Sequence, residues 1–217
     1  MGCQELGWDR VVDIMWREAE AREAPVSKKK CGTPFVHLVS AILSSRTRDE
    51  TTIEATERLF ERIDNPEQLK ELPVDEIEVL IWGVGFYRVK AKKLKELAET
   101  LIKEYDSKVP ADYKELVKLP GVGRKTANVV LVNAFNKSAI AVDTHVHRIS
   151  NRMGFVETDK PEDTEDRLKE IVPREHWVGL NRSFVGFGQT VCKPQRPLCS
   201  ECPFNYCCPK IGVIKSQ

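Results

Sequence analysis

Leu119-Pro120-Gly121-Val122-Gly123-Arg124-Lys125-Thr126-Ala127 is the stretch on which the reading of this chain turns. Upstream, Asp112 stands where a side-chain oxygen caps a helix running to Lys118. Downstream, apolar positions recur with helical spacing from Arg124 to Phe135. Leu119 to Gly123 is therefore a tight hairpin between two helices, with Leu119 and Val122 as its apolar anchors. Gly121 and Gly123 permit positive φ and let the backbone approach a ligand with no Cβ in the way. The hairpin ends at a helix N-terminus, where free N–H groups and the dipole suit an anion. A DNA phosphate is the natural guest, held without any reading of base sequence. A bare G-x-G is equally a tight interhelical turn, and a phosphate-holding hairpin serves a binding protein as readily as an enzyme.

Outward from the hairpin the pattern is helical nearly throughout. Trp8, Val11, Val12, Met15 and Ala19 place an amphipathic helix near 8–22. Thr33-Pro34 opens a helix through Leu43, and Asp49 caps the next, which turns Ile53, Leu59, Phe60 and Ile63 inward. Asn65-Pro66 starts a short helix ending near Pro73, and another over about 75–82 stops at Gly83 and Gly85. Ala91, Leu94, Leu97, Ala98, Leu101, Ile102 and Tyr105 mark a long helix. Further helices are expected at about 143–153, 161–172 and 174–190. Period-2 alternation is scarce, so the class is all-α. Ser27 to Gly32 (SKKKCG) reads as a linker, and a second seam falls near Asn136–Ser138. The central segment then forms one domain, and both ends of the chain build the other.

Composition narrows the function. Charge is distributed unevenly although the net is only +1. From Asp49 to Glu78 there are eleven acidic residues against three basic, whereas Lys114 to Arg152 has seven basic against two acidic. Such a division suits a polyanion met by one face, and equally describes solvated helix faces. No apolar run approaches the roughly 20 residues that span a bilayer. Met1 to Arg10 lacks the basic and apolar regions of a secretion signal. Seven cysteines in a chain read as unexported argue against a disulfide framework. Cys3 and Cys31 stand alone as bystanders. Cys192, Cys199, Cys202 and Cys208 give C-x6-C-x2-C-x5-C, with Cys207 as an alternative fourth ligand. Four thiolates suit a 4Fe–4S cluster or structural zinc, although zinc modules usually pair two short knuckles and only one gap here is short. Lys193 and Arg196 protrude from the first ligand loop toward any phosphate nearby.

Two residues carry chemistry. Lys125 sits in the first turn after the hairpin, where the helix dipole and Arg124 disfavour the ammonium while DNA phosphates favour it. A neutral amine is what Schiff-base formation at a sugar C1′ requires. Asp143, in Val142-Asp143-Thr144-His145, is an N-cap by position. It is also a carboxylate suited to stabilising oxocarbenium-like charge as a base departs, or to assisting proton transfer. His145 lies either by the lesion pocket or packed against a helix.

Together the hairpin, the V-D-T-H segment and the cysteine spacing resemble the endonuclease III family of helix–hairpin–helix DNA glycosylases, in the family's order, over Thr33 to Cys208. The resemblance implies two helical domains with the active site in the cleft between them. One is a six-helix, barrel-like domain over 28–137 carrying the hairpin. The other, over 1–27 and 138–217, carries an iron–sulfur cluster loop. It implies a bifunctional base excision repair glycosylase and AP lyase acting on oxidised pyrimidines, such as thymine glycol, or abasic sites in double-stranded DNA. Lys125 would be the Schiff-base nucleophile and Asp143 the catalytic carboxylate. Cys192, Cys199, Cys202 and Cys208 would hold a 4Fe–4S cluster, and Gly121, Gly123, Arg124, His145, Lys193 and Arg196 would meet DNA. A monomer in the prokaryotic cytoplasm, nucleoid-associated, is expected, with a nuclear location left open. One departure stands out: Leu43-Ser44-Ser45-Arg46-Thr47-Arg48-Asp49 resembles the family's L-S-x-Q-x-x-D, with Arg46 in place of the glutamine that fills the gap left by a flipped nucleotide. Arginine can fill that gap by stacking and by donating to the orphaned base, or it simply contacts phosphate. The rivals are a related glycosylase with another base preference and a non-catalytic DNA-binding or redox-sensing module.

Overall fold

Local capping chemistry sets four of the described helix starts. The Thr33 side chain accepts from the Val36 N–H at 3.3 Å, and Asn65 Oδ1 accepts from the Gln68 N–H at 2.9 Å, each followed by proline in the first turn. Asp112 Oδ1 takes the N–H groups of Lys114 and Glu115 at 2.8 and 3.2 Å. The computed structural model describes residues 2–28 and 32–217, and no strand occurs among them. In chain order the α-helices are α1 (Trp8–Ala21), α2 (Pro34–Ser44), α3 (Asp49–Phe60), α4 (Pro66–Glu71), α5 (Val74–Leu80) and α6 (Tyr87–Glu104). They continue with α7 (Tyr113–Leu116), α8 (Arg124–Phe135), α9 (Thr144–Arg152), α10 (Pro161–Ile171) and α11 (Trp177–Thr190). None of the described helices is long and apolar enough to cross a membrane.

Three boundaries differ from the sequence reading. Arg48, not Asp49, is the cap residue of α3; Asp49 takes the first helical position, where its charge still meets the positive end of the dipole. Helix α7 stops at Leu116 because the chain must already turn toward the hairpin. The segment before α11 begins as a 3-10 turn, Arg174–His176. Within α3, Ala55 and Leu59 are buried, while Ile53 and Phe60 are half-covered. The expected linker lies partly outside the described residues, as does Cys31; Ser27 and Lys28 close a 3-10 turn, Pro25–Lys28.

The chain divides into two units, Met1–Lys30 with Ser138–Gln217, and Cys31–Lys137. In the contiguous unit, Leu38 and Leu43 of α2, Leu59 of α3 and Leu94, Leu97 and Leu101 of α6 are wholly buried. Each such side chain contributes on the order of 1.5–3 kcal/mol by leaving water. Arg58 closes the end of α5 by donating to the carbonyls of Leu80 (3.0 Å) and Trp82 (2.8 Å), which have no helical donor of their own.

In the discontinuous unit, α1 lies against α11. Gly186 lets them approach, since a Cβ there would stand 2.5 Å from that of Ala19. Val11 and Met15 of α1, Val146 and Ile149 of α9, and Phe184 and Phe187 of α11 share one core with Phe204. That packing brings Cys3 against the cysteine loop, and Cys3 is disulfide-bonded to Cys207 with their Cα atoms 5.0 Å apart. Cys3 is therefore no bystander and Cys207 is not a fourth ligand; among the described residues this is a single bond and not a framework. The cause is tertiary: 204 positions separate the partners, so nothing local announces them. Cys3→Ser is expected to lower the unfolding free energy by about 2–5 kcal/mol, as for loss of a bond closing a long loop. Denaturant midpoints check this, with the reduced wild type falling to the variant's value. Identical midpoints in all three would rule out a stabilising bond.

Candidate active site

The hairpin is built as the sequence suggests, with one difference. Leu119 and Val122 are buried, joined by a Val122 N–H to Leu119 carbonyl bond of 3.1 Å. Gly121 has φ +81°, which only glycine adopts readily, and a Cβ there would stand 3.5 Å from the Ile42 side chain of α2. Gly123 is extended (φ −102°, ψ −179°), so positive φ is not why glycine stands there. A Cβ on Gly123 would meet nothing within 4 Å. The unit's own packing thus makes no demand for glycine at 123.

Helix α8 begins at Arg124, and the first helical bond runs from the Ala127 N–H to the Gly123 carbonyl at 2.9 Å. The N–H groups of Arg124, Lys125 and Thr126 precede that bond, and no acidic residue occupies the first turn. This end of the helix is electropositive through both its dipole and its side chains. Lys125 is exposed and Arg124 half-buried. Arg46, in the same unit, is exposed on a left-handed turn after α2 (φ +52°), with its guanidinium carbon 5.4 Å from the centre of the Phe86 ring.

In the other unit, Asp143 caps α9. Its Oδ1 accepts from the N–H groups of both His145 and Val146 at 2.9 Å. Both cap bonds fall on the same oxygen, which leaves Oδ2 outside the cap. His145 is half-buried, with its Nδ1 3.1 Å from Arg148 Nη2, and a Cβ on Gly188 of α11 would stand 2.5 Å from that nitrogen.

Two arginines one turn apart on α9, which sequence reasoning passed over, tie this helix to the cysteine loop. Arg148 Nη2 donates to the Cys192 carbonyl at 2.8 Å. Arg152 donates to the carbonyls of Lys193 and Pro194, both at 2.7 Å, and approaches the Cys192 sulfur at 3.6 Å. Their i, i+4 spacing was the available signal, but it reads equally as a solvated face. Lys193 and Arg196 are exposed on this loop.

Cys192, Cys199, Cys202 and Cys208 are free thiols lining one pocket with Met153, Phe187, Val191, Leu198 and Phe204. Burial pushes the Cys202 thiol up to about 11, and the neighbouring Cys192, Cys208 and Cys199 push the same way; Cys208 is raised for the same reasons. Among the described residues no three His, Cys, Asp or Glu side chains converge tightly enough to hold a single metal ion.

Residues 39–174 match the family model of the HhH-GPD superfamily base excision DNA repair proteins. The chain is 50% identical to endonuclease III of Thermotoga maritima over 80% of this chain and 82% of that protein. It is 42% identical to endonuclease III of Bacillus subtilis over 84% and 86%. A solved non-covalent endonuclease III–DNA complex superposes with a TM-score of 0.85 at 37% identity, covering 97% of each chain. A trapped covalent endonuclease III–DNA intermediate gives 0.86 at the same identity and coverage. The chain belongs to the HhH-GPD superfamily of base excision repair proteins, within its endonuclease III family.

Proposed function

We propose that the chain is a bifunctional DNA glycosylase and AP lyase that removes oxidised pyrimidines from duplex DNA and cuts the strand 3′ to the abasic site. The observation that carries this reading is Lys125: an exposed amine in the first turn of α8, directly after a hairpin whose second glycine has only open space before it. The kinship with endonuclease III, one member of which is known as a covalent DNA intermediate, supports it.

In the proposed reaction the hairpin N–H groups hold a phosphate beside the lesion while the nucleotide turns out of the stack. The neutral Lys125 amine attacks C1′, and the damaged base leaves with the bonding pair and takes up a proton. The Asp143 carboxylate stabilises the positive charge that develops on the sugar. Ring opening gives a protonated Schiff base, which acidifies the C2′ proton. Loss of that proton drives expulsion of the 3′ phosphate, and water then releases Lys125 from the unsaturated aldehyde. The unit Cys31–Lys137 supplies the hairpin and the amine. The unit of Met1–Lys30 with Ser138–Gln217 supplies the carboxylate and, through Lys193 and Arg196, further phosphate contacts. The partner is damaged double-stranded DNA, met by a monomer in the prokaryotic cytoplasm.

The four free thiols fit a 4Fe–4S cluster better than zinc. They are soft ligands, all four from one loop, lining one pocket together with apolar side chains, and only one of the three gaps between them is as short as a zinc knuckle's. Bound there, the cluster would supply a cross-link that fixes the loop bearing Lys193 and Arg196. Cys202→Ser is expected to lose iron, acid-labile sulfide and the visible charge-transfer absorption. Retention of zinc with no iron in the wild type would overturn the assignment.

The test of the function is to mix the protein with a duplex carrying one thymine glycol, add borohydride, and look for a covalent adduct. An adduct with the lesion duplex and none with undamaged DNA is the expected result. No adduct across oxidised, deaminated and abasic substrates would sink the reading.

A further inference from the structure

Lys90 stands where an amphipathic helix would ordinarily send its charges to solvent, yet it is only 8% exposed. From α6 its ammonium reaches the turn that follows α2. It donates to the carbonyls of Leu43 at 2.8 Å and Ser45 at 2.5 Å, and to the Thr47 hydroxyl at 3.3 Å. Burial draws its pKa down to about 8, so at neutral pH it is still an ammonium, with three protons for three oxygens. The same turn is held from another side. The Gly85 N–H donates to Thr47 Oγ1 at 3.1 Å, and that hydroxyl in turn donates to the Ser45 carbonyl at 3.1 Å. The space a Gly85 Cβ would need is filled by the Arg46 carbonyl oxygen.

At the crest of this turn Arg46 adopts φ +52°, a conformation that residues with a Cβ seldom take unless their surroundings impose it. Phe86, next to Gly85, has φ +58°, is well exposed, and lies under the Arg46 guanidinium. Two strained residues thus project an arginine and an aromatic ring together, and the buried lysine holds the backbone beneath them.

We propose that Lys90 is the positioning residue for Arg46, clamping the Leu43–Thr47 turn so that the guanidinium is presented, pre-set, to the gap that a flipped nucleotide leaves. The proposal rests on the reading of Arg46 as the residue that enters the base stack. An arginine free to wander would have to be ordered at each encounter; one held on a fixed turn enters the stack without that cost.

The test compares two substrates: a thymine glycol within duplex DNA, which requires base extrusion, and a preformed abasic site in single-stranded DNA, which does not. Lys90→Met is expected to lower the duplex rate relative to the single-strand rate by roughly a hundredfold, the scale of a 1 Å misplacement. A 2-aminopurine opposite the lesion should lose its fluorescence change on binding, a signal that mere loss of stability would not alter in protein shown to be folded. Arg46→Ala and Arg46→Ala/Lys90→Met should have the same duplex rate, because Lys90 acts through Arg46. If Lys90→Met does not fold, Gly85→Ala, which displaces the Arg46 carbonyl from the other side, is expected to give the same fall in the ratio. An unchanged ratio in the folded variants, or additive losses in the double variant, would overturn the proposal. A wild type inactive on both substrates would instead remove the glycosylase reading, and this proposal with it.

Discussion

Lys125→Gln is expected to fold as the wild type does and to lose both the borohydride adduct and strand cutting, with the rate down by at least about 10⁴-fold, as when an enzyme loses its nucleophile. The position makes this a clean experiment. Lys125 is exposed, on the first turn of α8, and packs against nothing in the core. Glutamine matches lysine in helix propensity, so the stability change should stay within about 0.5 kcal/mol. Glutamine can still donate a hydrogen bond to phosphate, so affinity for lesion DNA should fall little while the covalent step disappears. Gel shift and single-turnover kinetics on the same preparation separate the two. Normal nicking by this variant would mean that another amine does the chemistry.

Asp143 offers a second large effect, and here two substitutions must be compared. As the N-cap of α9, Asp143 uses only Oδ1, for two N–H groups at 2.9 Å. Asparagine caps helices as well as aspartate does, so Asp143→Asn should keep the cap and most of the stability. It cannot supply negative charge or accept a proton, and the turnover rate is expected to fall by about 10²–10⁴-fold. Asp143→Ala should lose the same rate and, in addition, about 1 kcal/mol of stability. Thermal denaturation alongside kinetics checks the division. Wild-type turnover by the asparagine variant would reduce Asp143 to a cap.

What the sequence discloses and what it hides divides along the reach of the interactions. The caps at Thr33, Asn65 and Asp112 are legible because a side-chain oxygen and the free N–H groups, with a following proline at the first two, lie within three residues of each other. The hairpin and α8 are legible for the same reason. The start of α3 is not, because the backbone at Arg48 follows from the left-handed turn at Arg46, which is fixed by Gly85 and Lys90 some forty positions on. Lys90 itself reads as one more surface lysine on a charged helix; only the neighbouring turn makes it interior. Likewise Arg148 and Arg152 look like a solvated pair until the cysteine loop folds onto them. Spacing groups Cys192, Cys199 and Cys202 but leaves Cys207 and Cys208 as rivals for the fourth place, whereas the pairing of Cys3 with Cys207 depends on α1 packing against α11.

The discontinuous unit also imposes an order in time. Helix α1 emerges from the ribosome with Val11, Met15 and Ala19 in a row, and the helix that covers them, α11, ends at Thr190. At about 5–20 residues per second, synthesis of the intervening chain takes roughly 10–40 s. For that interval the contiguous unit can form, while the first helix waits with its apolar stripe uncovered. Assembly thus runs from the contiguous unit outward, and the apolar stripe of α1 stays open to other apolar surfaces until α11 has been made.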